Sequence, residues 1–141
     1  MSVSSSVDLR DAVQNLVLDF FMDLDVGAFE ALVGRMAPGG RWHRQGKVLS
    51  GRQNILDAMA ERGPDVRTAH LVTNLRIVQA NETAATARFY MTAFRYDGAV
   101  VAGAPSPMNL PGSIGLYECD CTLIENGWRI EELRADPRFR R

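Results

Sequence analysis

The chain is 141 residues long, 46% apolar and 23% charged, with a formal net charge of -1. That length suits one domain with a substantial core, and the composition is that of an ordinary globular protein. The near-balanced charge leaves no electrostatic footprint for nucleic acid, because the arginines are scattered apart from Arg138, Arg140 and Arg141 at the end. The first residues lack the basic and apolar regions of a secretion signal. No uncharged apolar stretch approaches the roughly 18 residues needed to cross a bilayer. The expectation is therefore a cytoplasmic protein that binds neither nucleic acid nor membrane. Cys119 and Cys121 are the only cysteines and His43 and His70 the only histidines. One residue apart on a strand, the two thiols share a face, are badly placed for a disulfide and lack partners for a zinc site. They read as small buried side chains, and no metal or other cofactor is expected.

In chain order, Val7 to Met22 carries Leu9, Val13, Leu16, Val17, Phe20 and Phe21 at helical spacing. Asp25 to Val33 reads as a short second helix with Asp25 at its N-cap. Pro38-Gly39-Gly40 is expected to break the chain before a small strand, turn and strand over Arg41–Arg44 and Lys47–Leu49. Ser50-Gly51 opens a third helix with Ile55, Leu56 and Met59 on its apolar face, ended by Gly63-Pro64. The pattern then changes to long strands over Thr68–Gln79, Thr83–Tyr96 and Ile114–Ile124, followed by Trp128–Leu133. Asn126-Gly127 supplies the positive backbone angles of a hairpin turn between the last two. The Gly- and Pro-rich stretch 97–113 is the largest irregular segment, suited to a lid or an interface. Helices followed by a strand meander give an α+β fold: three N-terminal helices packed on a strongly curved, mixed, mainly antiparallel sheet, a cone with an internal pocket. The whole of 1–141 is expected to be one domain, with 1–6 and 135–141 as flexible or peripheral tails.

Four stretches carry a family resemblance: Leu24-Asp25-Val-Gly-Ala-Phe29, Ser50-Gly51-Arg52-Gln-Asn-Ile55, Thr68-Ala-His70-Leu-Val-Thr-Asn74-Leu75, and Gly127-Trp128-Arg-Ile130. In this order and spacing they resemble the nuclear transport factor 2-like superfamily, in its SnoaL-like branch of polyketide cyclases and scytalone dehydratase-like enzymes. The resemblance implies a catalytic dyad formed by Asp25, after the first helix, and His70, set in a deep pocket. It also carries departures. Phe20 stands where relatives often place a Tyr or Lys, no acid lies near Thr92-Ala93, and Leu133 stands where some members have an arginine, with Arg134 one residue later.

A carboxylate on one imidazole nitrogen fixes the tautomer and leaves the other nitrogen free to take a proton. The bland counterpart is an N-cap aspartate and a structural histidine. Around the pair, Phe20, Phe29, Leu32, Val72, Phe89 and Met91 are expected to line the pocket. Trp42 and His43 on the first strand are candidate ligand contacts, and Asn74 would share His70's face on a regular strand. Arg134 is a candidate helper that steadies a leaving anion, and Tyr90, Tyr96 and Tyr117 are further candidate donors. These residues suit a cofactor-independent lyase or isomerase, dehydratase-, dehydrohalogenase- or cyclase-like, acting on a small apolar and cyclic molecule. The alternative is a non-catalytic ligand-binding or scaffolding domain, including a role like that of a dioxygenase small subunit. A homodimer or higher homo-oligomer is expected, because a sheet with one face around a pocket leaves the other uncovered.

Overall fold

Helices α1 (Val3–Val26) and α2 (Phe29–Gly34) are followed by strands β1 (Met36–Arg44) and β2 (Lys47–Ser50), then helix α3 (Arg52–Ala60). Four long strands complete the chain: β3 (Val66–Ala80), β4 (Ala84–Asp97), β5 (Ser113–Ile124) and β6 (Gly127–Arg140). This is a computed structural model that describes residues 3–141. The strands form one six-stranded sheet in the order β2-β1-β6-β5-β4-β3, antiparallel throughout except for the β1–β6 pair. It is the expected α+β architecture, a mixed, curved, open sheet with the helices packed on it.

Helix α1 explains the packing. Leu9, Val13, Leu16, Val17, Phe20, Phe21 and Leu24 recur on one stripe and are all buried. They meet the inward side chains of alternate sheet positions, Ala85, Ala87, Phe89 and Met91 of β4 and Cys119 and Cys121 of β5. Phe20 packs edge-on against Phe21 and Trp42, with ring centroids 5.1 Å apart in each case. The two cysteines are free and buried with their sulfurs 3.7 Å apart, and the hydrogen bond with Cys121 together with burial pushes the Cys119 thiol well above its usual value.

Several boundaries differ from the sequence expectation, each for a local reason. Helix α1 runs through Asp25, which therefore sits in its last turn and is not the cap of α2. Gly27, at φ +76°, ends the helix: its N–H reaches the Leu24 carbonyl at 3.4 Å and that of Ala28 reaches the Asp23 carbonyl at 2.8 Å. That pair of bonds is the Schellman stop. Pro38-Gly39-Gly40 lies inside β1 as an outward bulge. Met36 pairs with Ile130 and Arg41 with Glu132, so five steps on β1 oppose two on β6. Gly40 allows it, because a Cβ there would lie 2.8 Å from the Ile130 carbonyl oxygen. Of the segment 135–141, residues 135–140 are exposed strand, since β6 pairs with β5 as far as Arg140 opposite Ser113. Of the expected leader 1–6, residues 1 and 2 lie outside the described part, and α1 already begins at Val3.

Candidate active site

Asp25 and His70 meet where the end of α1 crosses β3. The Asp25 carboxylate accepts three hydrogen bonds: from His70 Nδ1 at 2.6 Å, from the His70 backbone N–H at 2.8 Å and from Thr68 Oγ1 at 2.8 Å. The backbone bond is available because β3 is an edge strand with β4 as its one neighbour in the sheet. With its proton on Nδ1, His70 keeps a lone pair on Nε2. The two side chains are only 15% and 16% exposed. Phe21 lies over the imidazole, its ring centroid 5.6 Å away and tilted by 30°. Burial alone would raise the Asp25 pKa. The bonds from the His70 side chain and backbone, the attraction of the ring and the bond from Thr68 outweigh it, and the net shift is downward. Helix geometry works against this placement, because the C-terminal end of a helix favours cations and α1 has no basic residue in its last turn.

His70 opens onto a cavity of about 730 Å³. Phe21, Leu24, Trp42 and Tyr117 give it an apolar, aromatic wall. Burial pushes the Tyr117 hydroxyl above its usual value, with Arg44 pulling the other way, so Tyr117 is a neutral donor at physiological pH. Arg44, Arg62, Arg95 and Arg140 also line the space. Arg62 donates to Thr68 Oγ1 at 3.3 Å and to the Leu24 carbonyl at 3.5 Å, which ties a guanidinium to the far side of the dyad.

Of the residues singled out from sequence, the fold brings His70, Trp42, His43 and Tyr117 to the cavity, with Asp25 directly behind His70. The others sit elsewhere. Phe20 is fully buried against Trp42, and Leu32, Phe89 and Met91 belong to the closed core. Val72 shares His70's face but packs against that core, and Phe29 lies beneath Arg62. Asn74, at φ +55°, is the extra residue of a bulge between Thr73 and Arg76. The bulge turns it to solvent and hands the inner face on to Leu75 and Ile77. A second bulge, at Glu131, decides the arginine question. Asp120 pairs with Glu132 and Cys121 with Ile130, so Ile130 and Leu133 both point inward and Arg134 points out.

On that outer face Arg134 reaches Glu118 at 2.6 Å, Asp120 at 2.9 Å and Glu132 at 3.1 Å. Arg88 holds the other Glu118 oxygen at 2.9 Å. His43 edges the cavity, but its Nε2 lies 2.7 Å from Glu132 Oε2, and Arg41 holds the other oxygen at 2.9 Å. The Arg41 and His43 hydrogen bonds pull the Glu132 carboxyl down to about 2. Tyr90 is exposed, and Tyr96 is not among the cavity-lining residues. Of the segment 97–113, Gly112 and Ser113 alone touch the cavity. Among the described residues no group of three or more His, Cys, Asp or Glu could hold a metal ion, and no helix is long and apolar enough to cross a membrane.

Arg44, Arg62, Arg95 and the role of Phe21 were not anticipated. A parity signal was present for two of them. Arg44 follows Trp42 by two, and Arg95 extends the apolar series Ala85, Ala87, Phe89, Met91 and Ala93, so both had to face inward.

Solved structures place the fold among known ones. A protein from Catenulispora acidiphila is 21% identical with a TM-score of 0.77 over 94% of each chain. A candidate scytalone dehydratase from Novosphingobium aromaticivorans is 16% identical, with a TM-score of 0.81 over 98% of this chain and 89% of that one. From the same organism, an NTF2-like protein with a cystatin-like fold is 19% identical, with a TM-score of 0.74 over 94% and 86%. These identities speak for the fold alone. No curated protein sequence matches. The sequence profile of the SnoaL-like domain matches residues 5–134, nearly the whole chain. The chain belongs to the SnoaL-like family.

Proposed function

We propose that the chain is a cofactor-independent lyase or isomerase in which His70 Nε2 is the general base. The observation that carries this reading is the 2.6 Å bond between His70 Nδ1 and Asp25 in front of a cavity large enough for a multi-ring molecule. Asp25 fixes the tautomer and steadies the imidazolium that forms when Nε2 takes a proton from substrate carbon. The neutral Tyr117 hydroxyl, on the same cavity, serves the opposite partner, a carbonyl that gains charge or a departing oxygen. The apolar wall of Phe21, Leu24 and Trp42 keeps water away and raises the worth of each charge. Elimination of water or halide, enolisation and aldol-type ring closure all begin with that proton transfer. Self-association through the uncovered face of the sheet remains part of the proposal and is read by sedimentation.

The test uses a panel of ring-fused β-hydroxyketones, with elimination followed by the absorbance of the conjugated product. His70→Asn should lower kcat by about 10²–10⁴-fold, the usual contribution of a general base, while thermal unfolding and ligand affinity hold. A substrate turned over equally well by His70→Asn would sink the reading in favour of a carrier or scaffold.

A further inference from the structure

Charge is distributed unequally between the two faces of the sheet. On the outer face Arg41, Arg88 and Arg134 each hold at least one carboxylate at 3.1 Å or less. Inside the cavity, Arg44 and Arg62 have no carboxylate within ion-pair distance among the described residues, although both are half-buried. Arg95 is bound through Nε to both oxygens of Asp97 and keeps its remaining N–H groups. Asp25, whose charge acts on Arg62, is already committed to His70 and Thr68.

The arginines also disturb one another. Burial pulls the Arg44 and Arg62 guanidinium groups below their usual value, and the charges of their arginine neighbours pull in the same direction. A protein with a net charge of -1 has thus gathered like charges around one cavity and left those of Arg44 and Arg62 without a carboxylate partner among the described residues. Each group is also held in place. Arg44 lies over the Trp42 ring, 5.4 Å from its centroid, and Arg62 lies over Phe29 at 5.8 Å while hydrogen-bonded to Leu24 and Thr68. Fixed, planar, unneutralised guanidinium groups beside an aromatic wall match one kind of ligand.

We infer that the natural ligand is an organic acid: a flat, apolar ring system that lies against Phe21, Trp42 and Tyr117 and carries a carboxylate held by Arg44, Arg62 and Arg95. This adds a charged end to the small, largely apolar ligand that the sequence suggests. It rests on the proposed function only in taking the dyad's cavity as the substrate's, and it deepens that reading by fixing the substrate's orientation. With its carboxylate on the arginines, the body of the molecule lies across the imidazole, and the proton removed by Nε2 comes from a ring or side-chain carbon at some distance from the acid.

The experiment is calorimetric titration with 2-naphthylacetate, its methyl ester and its primary amide at low and high ionic strength. The acid should bind at least about tenfold more tightly than either neutral analogue, in keeping with charge-assisted hydrogen bonds. Salt should shrink the gap. Arg44→Gln and Arg95→Gln should each reduce the preference, and Arg44→Lys should restore part of it. Equal affinity for acid, ester and amide in the wild-type protein would overturn the inference. So would a preference for the acid that survives Arg44→Gln, Arg62→Gln and Arg95→Gln unchanged. His70→Asn separates this from the proposed function. Loss of turnover with no preference for the acid leaves the base standing without the anion site, whereas a preference for the acid with turnover intact in His70→Asn leaves an acid-binding cavity without that base.

Discussion

Asp25 shows what a residue's surroundings ask of it. As an acid in the last turn of α1 it faces the unfavourable end of the helix dipole, a penalty of about 0.3–1 kcal/mol. Three donors more than offset it, and they act only on the charged form. The folded-state pKa is lowered, so the stability that Asp25 contributes is present above its unfolded value of 3.8 and is lost as pH falls through the lower folded value. Asp25→Asn should cost about 1.5–3 kcal/mol near neutrality, the range for hydrogen bonds to a charged group. The gap between the two proteins in urea melts should close as pH falls below about 4. A gap that stayed constant with pH would mean that the aspartate acts by shape and not by charge. Kinetically the same variant should weaken the base, because an amide neither fixes the His70 tautomer as firmly nor balances the imidazolium.

At the level of the elements, strand parity carries most of the site, and bulges decide where parity can be trusted. The alternation in β4 was legible and holds along the whole strand, so Arg95 could have been assigned to the cavity from sequence. The same arithmetic failed in β3 and β6. Nothing in Thr73-Asn74-Leu75 or Ile130-Glu131-Glu132 announces an extra residue beyond the tolerance of asparagine for a left-handed backbone. Asn74 therefore leaves the face that regular alternation gives it, while His70, upstream of its bulge, is not affected. Arg134 is a candidate through the family resemblance alone, one residue past the family position, and that one-residue offset turns it outward beside the inward Leu133. Pro38-Gly39-Gly40 reads as a break but is a strand interruption, because the close approach of Ile130 to Gly40 is a tertiary contact. Gly40→Ala would set a methyl group 2.8 Å from one backbone oxygen and 3.1 Å from another. A loss of about 1–3 kcal/mol is expected, as for other overpacking substitutions, measured by chemical denaturation. Because β1 carries Trp42 and Arg44, the variant should also loosen ligand binding more than its stability change alone would do.

The whole molecule keeps its two faces chemically separate. The inner face has aromatic side chains, the dyad and unneutralised arginines; the outer face has a ladder in which Arg41, Arg88 and Arg134 alternate with Glu118, Asp120 and Glu132 across four strands. Arg134 is the centre of that ladder. Its half-exposed position limits what the network can be worth, since solvent screens such pairs. Arg134→Ala should cost about 1 kcal/mol at low ionic strength, less at high salt, and should leave turnover unchanged. A fall in kcat without a fall in stability would return it to the catalytic machinery. The fold class was legible in the chain because it depends on local spacing, and the Asp25–His70 pair, 45 residues apart, only because the family resemblance implies it. The cationic character of the cavity was not, because it comes from β1, the segment after α3, β4 and β6, which meet only in three dimensions.

The bond from the His70 backbone N–H to Asp25 has a consequence for watching the protein at work. Because β3 is the edge of the sheet, that amide is shielded by a side chain on a helix and not by a neighbouring strand. Its rate of hydrogen exchange in an NMR experiment therefore reports the opening of the dyad alone, while the amides of β4 and β5 report the opening of the sheet. In Asp25→Asn the His70 amide should exchange markedly faster and its β4 neighbours little changed. A bound ligand that clamps the imidazole should slow it. One backbone proton thus reads how often the site comes apart while the fold stays whole.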